Sequence, residues 1–351
     1  MPQPDRGVRF GLIGCGRVAQ HFYLPILESL PRGRLSAVAD CDPNQLEPIR
    51  RRFPGVKTFA DHRQLLKDGG IEAVIVATPP YLHADMTIDA IRAGMHVLVE
   101  KPFTTSLADA EKVVDATKGS GVKVMVGFNR RRMPRNKEAR RFIESGAFGE
   151  PFAGEITLVG ANEGAWRPHT DYHLRRATGG GSLFDFSSHQ IDLVRFIFGQ
   201  EVVSVRCHLE SRRSEDDTTW LYLTLDQGAI VNVFSSYSPS SVDRLEILLD
   251  GGRLSIPSSY ASLHLGERSL RDFAWSPARY LKDYLRAVLA TGYRPWHLSH
   301  RSHVAQLTAF AGCVRRDEEP SPGIAEGLAN ARVIDAAYRS AQRDGEPIVI
   351  A

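Results

Sequence analysis

The sequence predicts an α/β chain in two parts: an N-terminal doubly wound parallel sheet, then a C-terminal α/β domain built on an open, mostly antiparallel sheet. Three observations carry this. Short, nearly uninterrupted apolar runs beginning with Val8 to Ile13 alternate with amphipathic stretches. The glycine pattern Gly14-Cys15-Gly16-Arg17-Val18-Ala19 falls where the first of these runs gives way to a helical one. From Glu150 onward the texture changes to longer strands joined by polar turns such as Asp226-Gln227-Gly228 and Asp250-Gly251-Gly252.

A chain of 351 residues, 42% hydrophobic and 24% charged, can bury a large core and divides naturally in two, here at 1–128 and 129–351. Lys and Arg total 44 against 41 Asp and Glu, a net charge of +3. That balance argues for neither a nucleic-acid nor a membrane partner. Cys15, Cys41, Cys207 and Cys313 lie far apart with no CxxC pair, so neither a zinc ribbon nor a disulfide framework is indicated. The start, Met1 to Gly7, is short and polar and lacks the apolar run of a secretion signal, and no later window reads as a membrane span. These features lead to the expectation of a cytoplasmic protein.

Taken in order, Val8 to Ile13 is the first strand, and Gln20 to Leu30 continues the glycine pattern as a helix that Pro25 can bend. This strand-turn-helix setting is what a GxGxxA dinucleotide fingerprint requires. Gly14 permits the tight turn, Gly16 lets backbone N–H groups approach a pyrophosphate, and Ala19 lets helix pack on strand. The second strand, Leu35 to Ala39, ends in Asp40, whose carboxylate suits the ribose hydroxyls and repels a 2′-phosphate. NAD is therefore the expected cofactor, with Arg50, Arg51 and Arg52 nearby leaving NADP open. The rhythm continues through Ala73 to Ala77, the helix Ala84 to Ala93, the strand His96 to Val99, the helix Leu107 to Thr117 and the strand Val122 to Val126. Gly14, Asp40, Thr78, Lys101 and Asn129 all follow or end strands, where open parallel sheets bind ligands. Lys101, followed by a proline, is the candidate to hold and acidify a substrate hydroxyl.

In the second half, Pro151 to Val159, Val202 to Leu209, Thr218 to Leu225, Ala229 to Ser235 and Leu245 to Leu249 read as strands. Gly179-Gly180-Gly181 leads into a helix through Phe198. At the helical period, Asp185, His189 and Asp192 share a narrow arc, opposite Ile191, Val194 and Ile197. A carboxylate four residues before an imidazole can fix the ring for acid–base work, or the two can form an ordinary surface pair. Arg130, Arg131, Arg132, Arg135, Lys137, Arg140 and Arg141 form either a phosphate-binding surface or the solvated face of a linker helix. The loop from Trp166 to His173, which includes Tyr172, is rich in side chains suited to sugar hydroxyls and ring faces, and reads equally as a packed surface loop. His169 and His173 have no third ligand in the pattern, so no metal is expected. Helices follow at Ala278 to Ala290, His303 to Val314 and Ile324 to Gln342, with a short final strand at Pro347 to Ile350.

Together, Gly14-Cys15-Gly16-Arg17-Val18-Ala19, Thr78-Pro79-Pro80 with His83, Glu100-Lys101-Pro102 and the triple-glycine stretch through Asp185, His189 and Asp192 resemble the glucose-fructose oxidoreductase and inositol dehydrogenase (Gfo/Idh/MocA) family. The resemblance implies an N-terminal Rossmann domain for NAD or NADP and a C-terminal domain that supplies substrate contacts and a homodimer or homotetramer interface. It assigns Lys101, Asp185 and His189 as catalytic. It places Gly14, Gly16, Arg17, Val18, Asp40, Thr78, Pro79, His83, Glu100 and Lys101 at the cofactor. Asn129, Arg130, Trp166, Tyr172, Asp185 and His189 become the substrate contacts. His189 leans toward cyclitols or free sugars, the arginine cluster toward nucleotide sugars, and Pro80 stands where many relatives carry asparagine.

The mechanism so implied passes a hydride between nicotinamide and a ring secondary alcohol while His189 takes the hydroxyl proton, Lys101 stabilises the oxygen, and Asp185 orients His189 or binds a neighbouring hydroxyl. Two alternatives share the cofactor: a glycosidase that uses transient oxidation, and an NAD-binding regulator without turnover.

Overall fold

The computed structural model of the chain describes residues 7–30, 33–160, 171–238, 241–257, 262–265, 268–270 and 301–350. It divides into two units. The first comprises Met1–Asn129 with Arg286–Leu328, and the second Arg130–Leu285 with Ala329–Ala351.

In the first unit, strands β1 (Val8–Ile13), β2 (Gly33–Ala39), β3 (Lys57–Phe59), β4 (Ala73–Val76), β5 (His96–Val99) and β6 (Val124–Val126) form a sheet in the order β3-β2-β1-β4-β5-β6. Each pairing is parallel. Helices α1 (Leu24–Ser29), α2 (Pro43–Arg52), α3 (His62–Asp68), α4 (His83–Arg92) and α5 (Leu107–Thr117) connect the strands. The central strands are buried along their whole length, Ala73 to Val76 for example, because helices cover both faces of such a sheet. The order reverses between β1 and β4, and ligands of this fold class bind at the carboxyl edge there. Side-chain caps start three of these helices: Asp42 accepts from the Asn44 N–H, Asp61 from that of Arg63, and Ser106 from that of Asp109.

One later segment belongs to this unit. Helix α8 (Arg301–Arg316) buries Leu307, Phe310 and Ala311 in the core formed by Phe10, Leu12 and Tyr23, with the Phe10 and Phe310 rings 6.2 Å apart. The expected boundary at 128 therefore separates α8 from the unit to which it belongs. Chain order cannot reveal that the apolar stripe of α8 completes the first core.

The second unit contains α6 (Pro134–Glu144), β7 (Pro151–Gly160), α7 (Ser188–Phe198), β8 (Val202–Glu210), β9 (Thr218–Leu225), β10 (Ile230–Tyr237), β11 (Val242–Leu249), β12 (Gly252–Pro257), β13 (Ser262–Leu265), β14 (Arg268–Leu270) and β15 (Ile348–Val349). Among the described residues these strands form one sheet in the order β14-β13-β12-β11-β7-β10-β9-β8-β15. Only the β7–β10 pair is parallel. Helix α9 (Ile324–Ala341) spans the unit division at Leu328.

Strand alternation sorts the two faces. Val205 and Cys207, Leu221 and Leu223, Val231 and Val233, Ile156, and Leu245 and Ile247 point into a core with Ile191, Val194 and Ile197 of α7 and Ile334 and Ala337 of α9. The opposite face carries Trp220 and Tyr222, 39% and 40% exposed. Among the described residues no helix is long and apolar enough to cross a membrane.

Candidate active site

In the first unit the carboxyl edge of the sheet assembles the glycine loop, Asp40, Thr78 and the Glu100-Lys101-Pro102 turn. Gly14 has φ +87°, and a Cβ there would lie 2.7 Å from the Ala77 carbonyl oxygen, so the turn needs glycine. Gly16 faces open space, with nothing within 4 Å of a Cβ built on it. Arg17 is exposed and Val18 half-buried in the helical turn that follows. Asp40 locks the loop: Oδ2 accepts from the Cys15 N–H at 2.7 Å and Oδ1 from the Asp42 N–H at 2.9 Å. Each oxygen keeps a second lone pair for a ribose hydroxyl. Thr78 Oγ1, beside half-buried Pro79, is buried with no partner among the described residues. An open glycine cradle, a fixed carboxylate and a partnerless hydroxyl fit a dinucleotide.

Two expected cofactor contacts turn inward instead. His83 is 1% exposed, and its ring nitrogens lie 2.8 Å from the Pro102 oxygen and 2.9 Å from the Thr78 oxygen. One ring nitrogen donates to one of these carbonyls and the other faces the second, so both nitrogens are turned to the protein and not to a cofactor. Burial holds this imidazole below its usual pKa, outweighing the two carbonyls, and the charge of Lys101 adds to the effect. Glu100 is 7% exposed. Its Oε1 accepts a short hydrogen bond from the Tyr23 hydroxyl, and its Oε2 accepts from the Lys101 N–H at 3.1 Å. Lys101 itself is half-buried and precedes a cis peptide bond to Pro102.

Asn129, expected at the substrate, is 7% exposed, and its amide nitrogen donates to Ser302 Oγ at 3.3 Å beside the His303 ring. Its amide nitrogen is therefore committed to the start of α8, while its Oδ1 is buried with no partner among the described residues.

The second unit holds the remaining candidates. The helix carrying them opens with a π-helical turn, Leu183–Ser187, that continues into α7. Gly180 packs hard against the preceding loop, since a Cβ there would lie 2.4 Å from the carbonyl oxygens of Tyr172 and His173. Ser182 then anchors the turn to Thr219 Oγ1 at 2.7 Å and to the Asp216 carbonyl at 2.9 Å. Ser187 is bonded to Ser235. Asp185 and His189 are both half-buried. Asp185 Oδ2 accepts from the Tyr237 hydroxyl at 3.2 Å, and Phe186 sets its ring edge against Tyr237 at 5.1 Å. Burial, then the charge of Asp185, then that of Tyr172 keep the Tyr237 proton on well above the ordinary phenol range. Asp185 and Tyr237 thus form a polar pair at the start of α7, and Tyr172 is half-buried in the loop before it. Trp166 lies outside the described residues.

Asp192, the third residue of the expected arc, is committed to a buried ion pair. It is 1% exposed and paired with Arg131, whose Nε and Nη2 reach its two oxygens at 2.8 and 2.7 Å. The arc shows which side chains share a side of the helix and not what packs there, and on this side Arg131 takes up both oxygens of Asp192. Arg131 accordingly leaves the solvated basic run and becomes a buried strut under the Phe196 ring, 5.2 Å away. Arg130, a second expected substrate contact, pairs with Asp243 at 3.2 Å, and Arg135 reaches the same carboxylate at 2.6 Å. Burial alone would push the Asp243 carboxyl up, and the two guanidiniums outweigh it to hold it below the ordinary value.

Tyr237, Tyr23 and Asp243 were missed from the sequence. A signal existed for the first: alternation puts Tyr237 on the face of Val231, Val233 and Ser235, making it a polar residue on a core face. Among the described residues no group of three or more His, Cys, Asp or Glu is placed to hold a metal ion.

Residues 8–128 match the GFO_IDH_MocA family, described as an oxidoreductase family with an NAD-binding Rossmann fold, and residues 136–255 match the GFO/IDH/MocA C-terminal domain. The chain is 28% identical to a scyllo-inositol 2-dehydrogenase (NAD(+)) of Bacillus subtilis over 98% of this chain and 96% of that one. It is 26% identical to a dTDP-3,4-didehydro-2,6-dideoxy-alpha-D-glucose 3-reductase of Actinomadura kijaniata over 98% of each. The crystal structure of the WlbA dehydrogenase from Bordetella pertussis with NADH and UDP-GlcNAcA superposes with a TM-score of 0.85 at 25% identity, covering 100% of this chain and 99% of that one. With both halves matched in sequence and fold, the chain belongs to the Gfo/Idh/MocA family of NAD-binding Rossmann-fold oxidoreductases.

Proposed function

We propose that the protein is a dehydrogenase that uses NAD, with NADP as the lesser cofactor, on a ring secondary alcohol of a cyclitol, sugar or sugar derivative. The observation that carries this reading is the polar pair at the start of α7, where Tyr237 fixes Asp185 one turn ahead of His189. When bound, the dinucleotide supplies the hydride chemistry. Gly14, Gly16, Arg17, Val18, Asp40, Thr78 and Pro79 hold it. Lys101 donates to the carbinol oxygen and stabilises the charge that builds there. His189 accepts the hydroxyl proton, and Asp185 orients His189 or binds a neighbouring hydroxyl.

The same reading makes the protein a cytoplasmic homodimer or homotetramer. The cysteines, all free, support the compartment. The exposed face of the second sheet supports the assembly, with Trp220 packed against Phe234 at 5.1 Å beside Tyr222 and Val242.

A panel of inositols, aldoses and anhydro-sugars with NAD and with NADP, read by absorbance of the reduced cofactor, tests the proposal. Reduced cofactor formed faster with NAD than with NADP on a ring alcohol is the expected result. Tight NAD binding with no reduction by any member would point to a regulator. Release of a free sugar from a glycoside without net reduction would point to a glycosidase.

A further inference from the structure

We infer that Tyr23 and Glu100 are a pair of positioning residues for Lys101, with Gln306 bracing the pair from α8. This rests on the reading of Lys101 as the group that binds the carbinol oxygen. Tyr23 and the Glu100-Lys101 turn meet at the Glu100 carboxylate, and Gln306 joins them through the Tyr23 hydroxyl. Tyr23 ends the π-helical turn Ala19–Tyr23 that follows the glycine loop, and its hydroxyl donates to Oε1. The N–H of Lys101 donates to Oε2 at 3.1 Å. Gln306 Nε2 donates to the Tyr23 oxygen at 3.3 Å. Tyr23 and Gln306 are fully buried and Glu100 nearly so, so none of the three reaches a substrate. They act through the residue next to Glu100.

Hydrogen-bond bookkeeping gives the set a direction. The Lys101 N–H can only donate, and the Tyr23 proton is directed at Glu100 because its oxygen already receives the Gln306 amide. Both carboxylate oxygens are therefore acceptors, and the backbone at Lys101 is fixed by one of them. Of the ionisable groups around it, Lys101 and Tyr23 face Glu100. The His83 ring lies behind Pro102, and the His303 ring meets Tyr23 edge-on at 6.2 Å. A buried carboxylate is costly unless each oxygen is partnered, so keeping one here implies a task that an apolar residue would not perform.

Glutamine can replace Glu100 without losing a bond. Its amide oxygen accepts from the Lys101 N–H and its NH2 donates to the Tyr23 oxygen. The tyrosine proton then turns to Gln306 Oε1, a buried acceptor with no partner among the described residues, after that amide flips. Leucine at 100 and phenylalanine at 23 cannot do this.

The test compares Glu100→Gln, Glu100→Leu, Tyr23→Phe and Lys101→Ala with the unaltered chain. One readout needs no substrate: the rate at which acetic anhydride acylates Lys101 relative to exposed Lys57, measured on peptides by mass spectrometry. Freed from its anchor, Lys101 should acylate at least about threefold faster in Glu100→Leu and Tyr23→Phe and at the original rate in Glu100→Gln. On an alcohol from the panel above, the same two variants should lose about tenfold in kcat with KM and NADH affinity little changed, and Glu100→Gln should restore kcat. Unchanged acylation of Lys101 in folded Tyr23→Phe or Glu100→Leu would overturn the inference. Full turnover by Lys101→Ala would instead overturn the catalytic reading of Lys101, and the acylation result would stand apart from it.

Discussion

The Tyr237 hydroxyl donates a hydrogen bond to Asp185 Oδ2 at 3.2 Å, from the last residue of β10 to the π turn that opens α7. Tyr237→Phe keeps the ring that packs against Phe186 and removes only the donor. Hydrogen bonds to charged groups are worth about 1.5–3 kcal/mol. The variant should therefore lose about tenfold or more in kcat/KM as Asp185 is released, with a thermal midpoint lower by only a few degrees. Steady-state kinetics beside a melting curve would check this, and unchanged kinetics would remove Tyr237 from the site.

Asp192 and Arg131 should behave as structure. Removing one partner of a buried ion pair typically costs about 3–5 kcal/mol, because the other charge is stranded. Asp192→Ala should show a loss of that size in urea unfolding. A change within about 0.5 kcal/mol, the range of an ordinary surface substitution, would contradict the buried pairing.

Cofactor choice should turn on Asp40, whose carboxylate repels a 2′-phosphate while accepting from ribose hydroxyls. Asp40→Ser should raise KM for NAD about tenfold and lower KM for NADP, as read by cofactor titrations. The variant also loses one of the two bonds from the Cys15 and Asp42 N–H groups, so a parallel melt should show a modest drop in stability.

Stability should fall at high pH. Tyr23, Tyr237 and Tyr338 hold their protons well above the ordinary phenol range, first because of burial and then because of Glu100, Asp185 and Asp216 respectively. A raised folded-state pKa means that the folded chain binds the proton more tightly. That contribution is complete below the unfolded value of about 10 and is lost as pH rises from there through the folded values. Asp243 has the opposite sign: its lowered pKa contributes above the unfolded value of about 4, and the contribution disappears as pH falls through the folded value. The urea midpoint should be flat near neutrality and decline above about pH 10, with a smaller decline in Tyr338→Phe. A midpoint that held or rose above pH 10 would contradict the buried-tyrosine account.

Much of this was legible in the residues. The strands of the first sheet are short buried runs ending in Gly14, Asp40, Thr78 and Glu100, and such runs declare themselves because helices cover both faces. The second sheet shows in its alternation. What the sequence hid depends on three-dimensional partners. The inward turn of His83 and Glu100 follows from carbonyls and a tyrosine distant in sequence, and the return of α8 to the first unit follows from a fit to Phe10. Asp192 looked like a companion of His189 because periodicity sorts the sides of a helix without showing what packs on them, and Arg131, distant in sequence, packs against Asp192.

The most direct test is steady-state reduction of NAD on a ring alcohol by the unaltered protein, His189→Ala and Lys101→Ala, with NADH binding measured alongside. Loss of the proton acceptor or of the oxygen-binding ammonium should lower kcat about a hundredfold or more while NADH affinity in His189→Ala stays near that of the unaltered chain. Full turnover by His189→Ala would contradict the account.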